Sequence, residues 1–352
     1  MKPSVIFVWH KDITNPYAGG GTQELFRLMS GLGERGFDVT LLCSRYPGSK
    51  KTEFVRNVRI VRAGTFYTFY FVVPFELVLN KAFRKAVAIV DTFGYLPYFV
   101  PLYVSKPVVG FCYHLPREVF VMEIPLRLGF FVGSLIARLA ILLEDKVAPL
   151  VYRNTVVLTF SESTRQDLRQ TGFQRVIMSE YALTSTLLPK SRQHKARIPA
   201  SSGKIVYVGR LEKYKGVQDV IVAMKAVSRV VPNAHLLILG KGRYQDSLKD
   251  LANRLGLKKN ITFLGFVSQE EKESLLASSD FVVMPSYKEG FSTPVFEAAL
   301  LGTPAVVSDA IGVRDSVTHG MTGFVYKCGD IRMLSEQMIA MLLDPKMRLS
   351  MG

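Results

Sequence analysis

The sequence predicts an α/β protein built from two doubly wound domains. Three observations carry that expectation. The chain has 352 residues, too long for one ordinary domain. Short β-branched runs alternate with helical patterns through both halves, the rhythm of a parallel sheet covered on both faces. The rhythm breaks once, at residues 184–203, and then restarts more clearly.

The first half opens with a buried-strand pattern at 5–9. Gly19-Gly20-Gly21 follows, and residues 22–35 place Leu25, Leu28, Met29 and Leu32 at helical spacing. Gly36 is suited to close that helix. Further strands are expected at 39–43, 58–62, 88–91, 107–112, 156–161 and 175–179. The break at 184–203 holds Pro189, Pro199, Ser201, Ser202, Lys190, Arg192, Lys195 and Arg197, which is linker composition. The predicted division is a first domain over 1–185, a linker over 186–203 and a second domain over 204–352.

The second half reads as strand 204–208, helix 216–231, strand 235–239, helix 244–255, strand 261–264 and helix 269–277. Strand 280–284, helix 293–301, strands 305–308 and 323–326 and helix 331–343 complete it. Ligands of such sheets sit at the carboxyl ends of strands, near helix N-termini. Two such domains in tandem place a cleft between them, a usual location for a substrate site.

Composition narrows the partners. Hydrophobic residues make up 48% and charged residues 21%, which excludes a disordered chain. The net charge is +16, which favours phosphorylated ligands, an anionic membrane or nucleic acid. No nucleic-acid motif is present, so no nucleic-acid partner is expected. Cys43, Cys112 and Cys328 are far apart in apolar runs, read as buried free thiols of a reducing compartment. No metal-ligand spacing exists among them, and no secretory signal opens the chain. Residues 63–75 are aromatic-rich but contain Pro74. Residues 128–143 are apolar but are interrupted by Arg138 and preceded by Arg127. Neither supplies the roughly 20 apolar residues that a spanning helix needs. Two readings stay open for them: buried core, or an apolar surface entering a membrane interface beside basic side chains.

The richest chemistry lies at Glu289-Gly290-Phe291-Ser292-Thr293-Pro294-Val295-Phe296-Glu297. Ser292 or Thr293 can cap a helix starting at Pro294, whose free amides would seat a diphosphate. Glu297 can accept two hydroxyls of a vicinal diol such as a ribose, and Glu289 can bond sugar hydroxyls. The alternative is a capping box with Glu297 reaching back to an amide. After strand 204–208, Arg210 and Lys215 can converge on a diphosphate, or form a solvated basic loop. Gly240-Lys241-Gly242 can line a nucleotide base or be a plain turn. Gly20 and Gly21 allow close approach of backbone to a ligand, but the dinucleotide pattern GxGxxG is not met. His114, with Arg117 and Glu118 behind it, ends a strand where it can meet a sugar hydroxyl or handle a proton, or sit satisfied in a loop.

Taken together these motifs resemble the retaining glycosyltransferases of family 4, also called glycosyl transferases group 1, which have the GT-B fold of two Rossmann-like domains. The E-x7-E spacing of Glu289 and Glu297 is similar, as are Gly209-Arg210 with Lys215-Gly216, Leu239-Gly240-Lys241-Gly242, and Gly320-Met321-Thr322-Gly323. The resemblance implies that Arg210 and Lys215 neutralise the leaving nucleoside diphosphate and that Glu297 holds the ribose. It implies that Glu289 contacts the donor sugar, that the amides of the segment Ser292 to Val295 bind the pyrophosphate, and that Gly20 and Gly21 close on it. His114 is similar to the family's active-site histidine. A same-face displacement with retention follows from it, with no metal or other cofactor and a UDP- or GDP-sugar as donor substrate. The expected acceptor is a glycan or lipid-linked molecule at the cytoplasmic membrane face, with peripheral contact to anionic lipid. The loop Gly312-Val313-Arg314-Asp315 departs from the family's glycine-richer version. The sequence ends at Gly352, where the family usually continues into a helix crossing back to the first domain. A non-catalytic sugar-nucleotide or glycan-binding subunit of the same fold is the alternative reading.

Overall fold

The β-branched runs form two separate sheets in the computed structural model, which describes residues 2–179 and 202–352. The expected linker lies outside the described residues up to position 201. Two compact units divide the chain: Met1–Phe120 with Phe130–Ser179, and Val121–Gly129 with Glu180–Gly352.

The first unit holds strands β1 (Ser4–Val8), β2 (Asp38–Arg45), β3 (Thr52–Val55), β4 (Val58–Thr65), β5 (Ala86–Phe93), β6 (Val108–Cys112), β7 (Val156–Thr159) and β8 (Val176–Met178). They form one sheet in the order β3-β4-β2-β1-β5-β6-β7-β8, parallel except for the β3–β4 pair. Alternation along β1 explains why both faces are covered. Val5 and Phe7 join Leu25, Phe26 and Met29 of helix Gly20–Glu34. Ile6 and Val8 join Phe69, Val73 and Leu77 of helix Phe69–Leu79 on the other side. Each such fully buried side chain is worth roughly 1.5–3 kcal/mol.

Several local expectations change. The triple glycine opens the helix as expected, with Gly19 as the N-cap residue, but the helical span starts at Gly20 and not at residue 22. β3 was not foreseen: its side chains are only half-buried or exposed, so it shows no apolar alternation. The run 63–75 splits into the end of β4 and the start of helix Phe69–Leu79, which contains Pro74. The run 128–143 becomes helix Phe130–Leu142.

The second unit holds β9 (Lys204–Val208), β10 (His235–Leu239), β11 (Ile261–Gly265), β12 (Phe281–Met284), β13 (Ala305–Ser308) and β14 (Gly323–Tyr326). The sheet is parallel, in the order β11-β10-β9-β12-β13-β14. A single large cluster fills its faces, with Val206, Val220, Met224, Val282, Val306 and Met338 among its members. A helix not foreseen, Pro345–Met351, is tied down by buried Arg348. Its Nη2 lies 3.2 Å from Asp280 Oδ1, and Nη1 donates to Leu342 O at 3.0 Å. All three cysteines are free, but Cys328 is half-exposed, which corrects the expectation of burial for that one.

Candidate active site

Strand order decides which loops meet. In the second unit the chain steps outward from β9 through β10 to β11, then returns to the other side of β9 with β12. The loops after β9 and after β12 therefore leave the sheet side by side, at a topological switch point. Open parallel sheets bind ligands at such points. Arg210 and Lys215 lie on the first loop, Glu289 on the second.

The geometry joins them. Lys215 Nζ donates to Glu289 Oε1 at 2.5 Å, and Ser286 Oγ donates to the same oxygen at 2.8 Å. Lys215 also lies 5.0 Å from the centroid of the Tyr214 ring, whose hydroxyl accepts from Arg210 Nη2 at 2.6 Å. Both cations thus gather around one aromatic ring, Arg210 exposed and Lys215 buried. The Lys215 ammonium has three hydrogens, so the carboxylate leaves donors for a second anion.

Backbone packing holds the loops. Gly216 follows Lys215 with φ +71, and a Cβ there would lie 2.1 Å from Pro285 O. Gly240 has φ +131, and its Cβ would lie 1.9 Å from Gly209 O. Leu211 N donates to Lys241 O, and Tyr244 N to Leu211 O. Gly240 and Gly242 therefore serve close contact between the 240–242 turn and the Arg210 loop, which supports the turn reading of that motif.

Glu297 stands in a different pair. It is the fifth residue of helix Thr293–Ala299, and its Oε1 accepts from Lys272 Nζ at 2.7 Å. That oxygen is therefore engaged by a side chain from another helix, 25 residues away in sequence. Ser292 is the N-cap residue, but its side chain makes no cap; Ser292 Oγ lies 3.5 Å from Gly312 O instead. Pro294 is the second helical residue and has no N–H. The amides of Thr293 and Val295 donate to Phe291 O and Ser292 O. A diphosphate seat here has fewer ready donors than the sequence suggests, because local turns already use them.

Sequence reasoning missed Lys272, Ser286 and Tyr214 as partners of these groups. Ser286 stands three residues before Glu289, a spacing that was available. Lys272 is 25 residues from Glu297, and no local signal links them. Nearby, Asp219 accepts from Tyr287 OH at 2.8 Å. Burial pushes the Asp219 carboxyl up, and the Tyr287 hydrogen bond partly offsets it.

In the first unit, Gly20 and Gly21 are the first residues of a fifteen-residue helix. A Cβ on Gly20 would meet nothing within 4 Å, so open ground lies over that helix start. Tyr113 OH donates to Gly21 O at 2.7 Å. His114 is half-buried, two residues beyond β6, and Glu118 is half-buried in the first turn of helix Arg117–Leu128. Arg117 is held by three partners. Its Nε donates to Asp145 Oδ1 at 2.6 Å, its Nη1 to Asp167 Oδ1 at 2.7 Å, and its Nη2 to Thr171 Oγ1. Burial works against the guanidinium charge, but these carboxylates outweigh it and hold its pKa above the ordinary value. The side chain is a clamp between helices, with three of its five N–H donors engaged. Among the described residues, no group of three or more His, Cys, Asp or Glu side chains is arranged to hold a metal ion.

Comparison with known proteins gives a consistent picture. Residues 190–352 match the model of the glycosyl transferases group 1, and residues 18–178 match that of glycosyltransferase family 4. Glycogen synthase of Mycobacterium tuberculosis is 31% identical over 199 residues, 56% of this chain and 47% of that protein. The GDP-mannose-dependent monoacylated alpha-(1-6)-phosphatidylinositol monomannoside mannosyltransferase of Corynebacterium glutamicum is 35% identical over 150 residues, 41% of this chain and 39% of that protein. The matches span half or less of the length of these relatives. The sucrose-phosphate synthase structure from Thermosynechococcus elongatus covers 100% of this chain and 92% of its own, with TM-score 0.79 and 18% identity. Sheet order, switch-point loops and family models agree: the fold is GT-B, and the chain belongs to the group 1, family 4 glycosyltransferases.

Proposed function

We propose that this chain transfers a hexose-type sugar, with retention, from a nucleoside-diphosphate sugar to an acceptor glycan or lipid-linked acceptor. The observation that carries the proposal is the convergence of Arg210, Lys215 and Glu289 at the switch point of the second unit. Breaking the bond between the sugar and the diphosphate builds negative charge on the leaving group. A guanidinium and an ammonium held beside that charge stabilise it without reorganisation. Glu289, fixed on one oxygen by Lys215 and Ser286, is placed to accept from sugar hydroxyls. Glu297 takes the ribose diol. Gly20 and Gly21 offer backbone to the phosphates, and His114 meets the sugar.

The relatives support the substrate class. The corynebacterial relative's name specifies GDP-mannose and a phosphatidylinositol acceptor, and the mycobacterial one is a glycogen synthase. By analogy the second domain, 204–352, takes the donor, and the first, 1–185, takes the acceptor. The cytoplasmic side is the proposed location. No helix among the described residues is long and apolar enough to cross a membrane.

The test is thermal unfolding with UDP, GDP and their sugars, followed by transfer assays with the donor that binds. A ligand of the native state raises the melting temperature. Lys215→Ala and Glu289→Gln should lower kcat by about 10²–10³, the usual effect of deleting a group that stabilises developing charge. Unchanged turnover in both variants sinks the proposal. Donor binding with neither hydrolysis nor transfer across an acceptor panel would assign the chain to a binding subunit.

A further inference from the structure

Helix Phe130–Leu142 is packed inside out. Its buried residues are Gly133, Ala137 and Ala140, small side chains one turn apart. Its large apolar side chains face solvent: Phe131 is 87% exposed and Leu135 70%, and Val132, Ile136, Leu139 and Leu142 are exposed as well. Small residues let the helix lie close against the unit. That arrangement turns the bulky row outward, where it gains nothing from folding. A contiguous exposed apolar row on a protein surface marks an interaction site.

The charges select the occupant. Between residues 130 and 153 the exposed charged side chains are all basic: Arg138, Lys146 and Arg153. Glu144 is buried, and Asp145 is held by Arg117 at 2.6 Å. A second copy on the same face would oppose these cations with their own counterparts, because a two-fold interface is self-complementary. A bilayer with anionic headgroups meets both requirements. At 1.5 Å per residue the helix is about 20 Å long, too short to span but long enough to lie in the headgroup region.

We propose that this helix docks the first unit on an anionic lipid bilayer, with Phe131, Leu135 and their neighbours inserted among the acyl chains and Arg138 and Lys146 at the phosphates. The docking adds a partner to the transferase reading and does not depend on it. In that reading it brings the acceptor domain to lipid-linked substrate.

Vesicle flotation of the full chain tests it, with phosphatidylcholine alone against phosphatidylcholine mixed with phosphatidylglycerol, at low and high salt. Wild type should float with the mixed vesicles and be released by salt. Phe131→Ser with Leu135→Ser should lower partitioning about tenfold or more. Arg138→Gln with Lys146→Gln should do so by about tenfold, and only on anionic vesicles. All four positions are exposed, and circular dichroism confirms that the variants fold. Equal flotation of wild type and the Phe131/Leu135 variant overturns the proposal. So does a dimer that this variant dissociates, with no vesicle binding. The nucleotide-induced rise in melting temperature is read in the same samples. Its loss with flotation intact counts against the transferase reading alone.

Discussion

Lys272 Nζ lies 2.7 Å from Glu297 Oε1, with side-chain exposures of 17% and 7%, so the carboxylate proposed to hold the ribose is oriented by a lysine from another helix. A carboxylate this far from water needs a partner. The bond fixes one oxygen and sets the direction of the other. If Glu297 holds the ribose, Lys272 acts as a positioning residue.

Lys272→Met should raise the donor KM about tenfold, with a smaller change in kcat, because substrate binding is weakened more than the chemistry. Lys272→Arg should recover most of the loss, since the guanidinium keeps the charge. The check is steady-state kinetics with varied donor. Equal losses in both variants, or a change confined to kcat, would refute the positioning role.

Gly216 tests the packing of the two switch-point loops. Left-handed backbone alone costs a non-glycine residue about 1–2 kcal/mol. Gly36→Ala should show roughly that, because its φ is +92 and a Cβ there meets nothing within 4 Å. Gly216→Ala also drives a Cβ to 2.1 Å from Pro285 O and should lose a further ~1–3 kcal/mol from overpacking. Urea unfolding of both variants decides; equal losses would show that the loops are not held together at this point.

Arg62 and Asp12 form a fully buried pair at 2.7 Å, with Thr14 and Glu53 adding hydrogen bonds. Burial pushes the Asp12 carboxyl up, but hydrogen bonds from Arg62 and Thr14 and the guanidinium charge outweigh it, holding it below its ordinary value. Arg62→Met should destabilise by about 3–5 kcal/mol, because it strands a buried carboxylate. Adding Asp12→Asn should recover part of that. Strict additivity in denaturant unfolding would contradict the coupling.

Asp91 gives a pH dependence of the opposite sense. Burial pushes its carboxyl up to about 6, against hydrogen bonds from Tyr152 OH and the amides of Val100 and Tyr98. An unfolded aspartate titrates near ~3.9, so between roughly pH 4 and 6 the native state holds more protons than the unfolded one. The group's contribution to stability is therefore full below about pH 4 and declines as pH rises towards about 6. Asp91→Asn removes this slope. Its melting temperature relative to wild type should shift in its favour across that window and stay level above it. A difference that does not vary with pH would exclude the assignment.

The periodic elements of the second unit were legible because their signals are local. Strands at 305–308 and 323–326 and helix 331–343 form with the expected bounds, since alternation and helical spacing declare a buried face within a few residues. β3 escaped because its exposed and half-buried alternation carries no apolar face. Arg117 stands behind His114 at a strand's carboxyl end, which marks it as an acceptor-side candidate. Its three partners lie 28, 50 and 54 residues away, and the sequence does not name them.

By itself the sequence determined two α/β halves, the family, and the residues carrying charge at strand ends, because spacing and motif are properties of neighbours along the chain. Only the tertiary structure decided which charges pair. Strand order brought Lys215 to Glu289, and helix packing brought Lys272 to Glu297. It alone decided which side of helix Phe130–Leu142 faces out. Glycine, alanine, leucine and phenylalanine are all apolar, so periodicity cannot rank them, whereas close approach to the unit admits only the small ones.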